Sequence, residues 1–141
     1  MPRLKDILQG RDLFSAGPDQ TVAEVAARMA AWNVGAIPVI ETGQLRGVFS
    51  ERDLLKRVVV AGRDPQRTLV GDVMSTSITK AAEDTTAEEA MELMHRCGCR
   101  HLPVLRSTEV VGFVSMRDLM LDELDRKTEE IRHMRDYIQS A

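Results

Sequence analysis

Gly35-Ala36-Ile37-Pro38-Val39 and Gly47-Val48-Phe49-Ser50-Glu51-Arg52-Asp53 return 65 residues later as Arg100-His101-Leu102-Pro103-Val104 and Gly112-Phe113-Val114-Ser115-Met116-Arg117-Asp118. The same offset pairs Thr21 with Thr86, Glu24 with Glu89, Met29 with Met94 and Leu54 with Leu119, without a gap from 21 to 54. Register held over that length marks an internal duplication, and a duplication has to be read before any single motif.

Each copy carries the same local signals. Thr21 with Glu24, and Thr86 with Glu89, have the spacing of capping boxes, in which a hydroxyl and a carboxylate satisfy the first free N–H groups of a helix. Behind them Val22, Val25, Ala26 and Met29, then Ala90, Met91, Leu93 and Met94, recur at helical spacing. Short β-type runs follow at 36–40 and 101–105, turns at Thr42-Gly43 and Ser107-Thr108, and second strands at 45–50 and 110–115. A proline inside each first strand predicts an edge or a ladder irregularity. Helices restart at Ser50 and Ser115, and extended lead-ins occupy 12–16 and 77–81.

One two-stranded unit cannot bury its own sheet. Two copies packed sheet to sheet, with helices outside, are therefore predicted: an α+β, two-layer fold with pseudo-two-fold symmetry. The expected domains are a first repeat at 1–65 and a second at 66–125, divided at the polar stretch 62–67. Asp6-Ile7-Leu8 and Asp72-Val73-Met74 read as matching opening segments, at an offset of 66.

Composition narrows the function classes. The 141 residues fit one compact unit, and 43% hydrophobic with only 4% aromatic implies an aliphatic core. A net charge of -3 argues against a general nucleic-acid binder, while leaving room for a small anion held by local cations. No stretch approaches the ~20 apolar residues of a membrane span, and the N-terminus lacks a signal-like apolar run. A cytoplasmic protein is expected. Cys97 and Cys99, one residue apart, are a poor start for a disulfide framework.

The repeated pattern resembles the CBS-domain family: a helix, a strand ending in P-V that reads G-x-x-P-V in the first copy and R-x-x-P-V in the second, then an apolar strand ending in S/T-x-x-D at the start of the last helix. The resemblance covers about residues 4–125. It implies a tandem CBS pair (Bateman module), a non-catalytic regulatory ligand sensor with two clefts between its repeats. Many such pairs bind AMP, ADP, ATP, NAD or S-adenosylmethionine, and two modules associate as a homodimer. AMP or ATP is the first expectation for the regulatory ligand; no catalytic cofactor and no metal is expected.

For the ligand contacts, Ser50 and Asp53, with Ser115 and Asp118, are the sharpest candidates, and Arg52 and Arg117 between them are weaker cationic ones. An ionised carboxylate has only acceptors, which suits the two hydroxyl donors of a ribose. A helix N-terminus favours a phosphate. Read without the resemblance, Ser-x-x-Asp is equally a capping box with Asp in place of Glu, and both roles fit together. Ile37, Pro38 and Val39, with Leu102, Pro103 and Val104, are the candidates for an adenine slot, because a proline leaves backbone groups outside the ladder, and Gly35 and Ala36 join them as nucleotide-binding candidates. Arg100 offers a planar fork for phosphate, and His101 a donor or a pH-sensitive charge. Their counterparts Gly35 and Ala36 are uncharged, so the two clefts are expected to differ. Lys80 is a weaker cationic candidate.

Two features stay outside that picture. His95-Arg96-Cys97-Gly98-Cys99-Arg100-His101 lacks the usual zinc spacings, and Cys97 and Cys99 align with Trp32 and Val34, so buried small apolar roles are expected. The stretch 119–139 contains no Gly or Pro and repeats Leu124, Ile131 and Ile138 every seventh residue, with Met120 and Met134 between them. It predicts an amphipathic helix continuing from the second repeat, suited to a subunit contact; Lys127 interrupts its stripe. No nucleophile, base and orienter set appears, and no phosphate-binding glycine loop. The rival functions are a ligand-free dimerisation scaffold and a Cys/His metal or redox sensor. Any output must pass through an effector protein.

Overall fold

The computed structural model describes residues 2–140. In chain order the elements are α1 (Leu4–Leu8), α2 (Val22–Trp32), β1 (Ala36–Glu41), β2 (Gln44–Ser50), α3 (Glu51–Asp53) running on as a π-helix over Leu54–Val59, α4 (Val70–Val73), β3 (Ala81–Ala82), α5 (Ala87–Cys97), β4 (His101–Arg106), β5 (Glu109–Ser115) and α6 (Met116–Ser140). The duplication is literal at the level of register. β1 and β2 pair antiparallel with an irregularity between Val39 and Ile40; β4 and β5 do so with one between Val104 and Leu105. The lead-ins add a parallel partner in both copies, Ala16 beside Val39 and Ala81 beside Val104.

The prolines sit where they cost the ladder nothing. N and C=O of one strand residue face the same side, and the Pro38 carbonyl accepts from the Ala16 N–H at 3.0 Å. Its missing N–H therefore faces the lead-in, not β2. Opposite Pro38, Val48 exchanges both backbone bonds with Ser75, each at 2.9 Å. The expected release of backbone groups to a ligand does not occur here: Ala16 and Ser75 take them.

Helix starts follow the sequence with one correction. Thr86 and Glu89 form a full capping box, whereas Thr21 keeps only the hydroxyl half, accepting from the Glu24 N–H at 3.2 Å. Ser50 with Asp53 is a second full box, and Ser115 with Asp118 makes the same reciprocal pair of bonds.

Two largely aliphatic cores result, the first including Phe49, and their membership crosses between the repeats. Val22, Val25, Met29, Ile37, Val39, Phe49 and Val58 pack with Val70 and Val73 of α4. Ala87, Ala90, Met94, Leu102, Val104, Val114 and Leu119 pack with Leu4 and Ile7 of α1. The opening segments do match, but each covers the other copy: Leu8 lies over Gly112 and Met74 over Gly47. Division of the chain at 65 and 66 follows the sequence repeat; the cores are divided by this exchange.

Beyond Asp122, Glu123 and Arg126, which are half-buried, α6 runs exposed to its end. Leu124 is 61%, Ile131 53%, Met134 65% and Ile138 69% exposed, so the apolar stripe does not fold back on its own body. Among the described residues no helix is long and apolar enough to cross a membrane.

Candidate nucleotide clefts

The symmetric packing leaves two clefts, and the 65-residue offset maps one wall onto the other. The first, about 690 Å3, is built from Asp12, Leu13, Phe14 and the corner 33–36 of the first repeat, facing Phe113 and Ser115 to Asp118 of the second. The second, about 570 Å3, is built from Ser77, Ile78, Thr79 and the corner 98–101 of the second repeat, facing Val48 and Ser50 to Asp53 of the first. Each therefore joins the lead-in of one copy to the aspartate of the other, and both volumes lie in the range of small-ligand sites.

The aspartates differ in what they have left to offer. At Asp118, Oδ2 accepts from the Ser115 N–H at 2.9 Å, while Oδ1 lies 3.3 Å from Nη1 of Arg11. At Asp53, Oδ2 accepts from both the N–H and the hydroxyl of Ser50, at 3.0 and 3.1 Å. Its Oδ1 accepts from the Ser75 hydroxyl at 3.0 Å, with Arg57 Nε at 3.7 Å. Asp53 is buried and satisfied by protein; Asp118 is one-third open. The capping reading holds for both, and Asp118 alone is partly exposed, its second oxygen paired only to the half-exposed Arg11.

Of the predicted site residues, Ser50, Arg52 and Asp53 line the second cleft, and Ser115, Arg117 and Asp118 the first. Gly35, Ala36, Arg100 and His101 line both. That corrects the expectation that Arg100 and His101 set one cleft apart: they sit at the pseudo-two-fold centre and are shared. Ile37, Pro38, Val39, Leu102, Pro103 and Val104 line neither, because all six are buried; Ile37 and Leu102 are wholly enclosed in the two cores. Lys80 is exposed and outside both clefts.

His101 stacks on Phe113, ring centroids 5.3 Å apart and 10° from parallel. Burial holds its pKa below the ordinary value, with Asp118 and Glu51 pulling up and Arg100 pushing down. The neutral ring is thus favoured in the cleft. Phe14 stacks on Trp32 at 4.3 Å, giving the first cleft an aromatic wall where the second has Thr79.

Cys97 and Cys99 line the second cleft as a disulfide, Cα atoms 5.4 Å apart, with Gly98 between them in the left-handed conformation that ends α5. The expectation of buried small apolar thiols is corrected for Cys97, which is exposed, and for the sulfurs, which are bonded; Cys99 is half-buried against the second core. The left-handed turn at Gly98 is what brings the two cysteines face to face. Among the described residues no group of three His, Cys, Asp or Glu could hold a metal ion.

Sequence reasoning missed Arg11, Phe14, Asn33, Ser75 and Phe113. The repeat offset was signal enough for Phe14, which maps onto Thr79 of the other cleft. Arg11 maps onto Thr76, which lines nothing, so the repeat gave no pointer to it.

Comparison with known proteins matches the chain and its fold to one family. The CBS domain matches this chain twice, over residues 4–60 and 70–123. The chain is 35% identical to the CBS domain-containing protein YhcV of Bacillus subtilis over 128 residues, 91% of this chain and 90% of that protein. Its structure is similar to that of the CBS domain protein NE2398, with a TM-score of 0.79 at 30% identity, covering 87% and 98% of the two chains. It is also similar to the CBS domain protein PAE2072 of Pyrobaculum aerophilum, solved in complex with AMP, with a TM-score of 0.74 at 28% identity, covering 83% and 89%. CBS domain proteins are in general regulatory, non-catalytic modules. With two copies of the domain closed against each other across a pseudo-two-fold axis, this chain belongs to the CBS domain family as a tandem pair.

Proposed function

We propose that this protein is a non-catalytic cytoplasmic module that senses an adenine nucleotide in the clefts between its repeats. The observation that carries the reading is Asp118: a carboxylate at the N-terminus of α6, capped through one oxygen and open to a cleft of about 690 Å3 through the other. In this reading Oδ1 accepts the ribose hydroxyls, and Arg100 and Arg117 face the phosphates. The apolar and aromatic wall of Leu13, Phe14 and Phe113 covers the base. The AMP bound by PAE2072 supports this ligand class. AMP or ATP is the first candidate; NAD and S-adenosylmethionine are the others.

A thermal-shift panel tests it. At a hundredfold excess over Kd, a ligand adds about 2.7 kcal/mol, roughly 5–10 °C in Tm for a chain of this size. Asp118→Ala is expected to remove that shift for the best nucleotide. A flat response of the native chain to every adenine compound favours the ligand-free scaffold. A response to zinc or reductant alone favours a metal or redox sensor, whose supporting observation is the disulfide in the wall of the second cleft.

Two copies of the module pair, in this reading, through apolar positions that the duplication places alike: Leu55 and Val59 after α3, Met120 and Leu124 on α6, all about half or more exposed. The stripe continues through Ile131, Met134 and Ile138. Because α6 also carries Asp118 and Leu121 into the first cleft, a ligand with different affinities for two arrangements of α6 shifts the pairing by that difference, and an effector protein reads the result. Sedimentation at tens of micromolar is expected to give a dimer, and Leu124→Asp with Ile131→Asp a monomer. A native chain that sediments as a monomer sinks the pairing.

A further inference from the structure

We infer that Arg11 is the specificity residue that makes the first cleft prefer a phosphate-bearing ligand over an uncharged adenosine compound, an inference that rests on the nucleotide reading above. Its guanidinium lies 3.3 Å from Oδ1 of Asp118, the one oxygen of that carboxylate not engaged by the helix cap. The side chains are 45% and 33% exposed. An ion pair that open to water is weak, so the two hydroxyls of a sugar displace it readily.

The released cation stays anchored beside the cleft mouth. Its backbone is fixed by the bond from the Arg11 N–H to the Leu8 carbonyl at 3.0 Å, across Gly10 at a φ of 77°. Leu8 in turn ends α1, docked on the second core. The guanidinium therefore exchanges partners within the site. It gives Asp118 to the sugar and takes the phosphate, whose oxygens its planar fork matches. Asp12 lines the same cleft and opposes an anion. With Arg11 neutralised, Asp12 and Asp118 face the phosphates with less compensation, and the loss grows with ligand charge.

The second cleft has no such device. The position equivalent to Arg11 is Thr76, exposed and outside the wall. The cation nearest Asp53 is Arg57, which is tied by Nη1 to the carbonyl of Met74 at 3.0 Å and does not line the cleft. The two clefts thus differ in the cation paired to the cleft aspartate, which lines the first cleft as Arg11 and lies outside the second as Arg57, and not in Arg100, which they share.

Calorimetric titration of the full chain with adenosine, AMP and ADP, for the native protein, Arg11→Gln and Arg11→Lys, tests the assignment, with a melt of each variant to check folding. The expected result is an AMP-over-adenosine preference that falls about 10-fold in Arg11→Gln, about 1.4 kcal/mol, falls further for ADP, and is partly restored in Arg11→Lys. An unchanged preference overturns the inference, as does an equal loss for adenosine and AMP, which marks a purely structural role. A native chain that binds none of the three overturns this inference, and one that also binds neither ATP, NAD nor S-adenosylmethionine sinks the nucleotide reading with it.

Discussion

Leu4→Ala is expected to lower the stability of the chain by about 2–5 kcal/mol and to loosen the second repeat ahead of the first. Five residues cannot hold a helix on their own, so α1 exists because of what it docks against. Its first turn is bonded to the far copy: the Leu4 N–H to the Thr85 carbonyl at 2.8 Å, the Lys5 N–H to the Glu83 carbonyl at 2.9 Å, with Lys5 paired to Asp84 at 2.9 Å. The exposed ion pair adds little. The Leu4 side chain, wholly buried among Ala87, Met94, Leu102 and their neighbours, is the anchor. Urea unfolding measures the loss, and amide exchange locates it, with faster exchange over 101–105 and 110–114 before 36–40. A loss below about 1 kcal/mol, or earlier exchange in the first repeat, contradicts the exchanged core. The effect also reaches function, because the end of α1 fixes the backbone of Arg11.

The exchange also shows where sequence reading stops. The duplicated strands, turns and helix starts were legible because each is decided locally, by a cap, a proline or an alternation. The aspartates were legible because Ser-x-x-Asp at a strand-to-helix corner has few structural meanings. The opening segments could be matched, at an offset of 66, but nothing in Asp6-Ile7-Leu8 says which copy it covers. Both cores are largely aliphatic and accept either. Leu102 and Ile37 were placed on the ligand side because a strand has two faces and the sequence does not say which one turns to the core. The cysteine pair was misread since its geometry depends on one left-handed residue, Gly98, and not on spacing. Arg11 was invisible because it breaks the repeat; the same departure from symmetry is what distinguishes the clefts.

Gly47→Val is expected to be more damaging than Gly112→Val, although the two glycines are equivalent in the duplication. Both are buried beneath the exchanged opening segments. A Cβ on Gly112 would have the side chain of Leu8 as its nearest neighbour, whose end can rotate away. A Cβ on Gly47 would lie 2.5 Å from Sδ of Met74 and 2.8 Å from the backbone oxygen of Ser75. Met74 can yield; the carbonyl cannot, because Ser75 exchanges two backbone bonds with Val48, the next residue along β2. Overpacking of this kind costs about 1–3 kcal/mol, occasionally more, and a valine adds two methyl groups to the clash. For a chain of this length each kcal/mol is worth about 3 °C in Tm, so a drop of roughly 10 °C is expected for Gly47→Val and less than half of that for Gly112→Val. The damage is also directed. Ser75 holds Oδ1 of Asp53 through its hydroxyl at 3.0 Å, so pushing Ser75 outward frees that oxygen and widens the second cleft, leaving the first intact. Melts of the two variants decide the order, and ligand titration decides the direction. Equal losses, or a loss confined to the first cleft, would mean that the Val48–Ser75 pair does not hold this part of the fold.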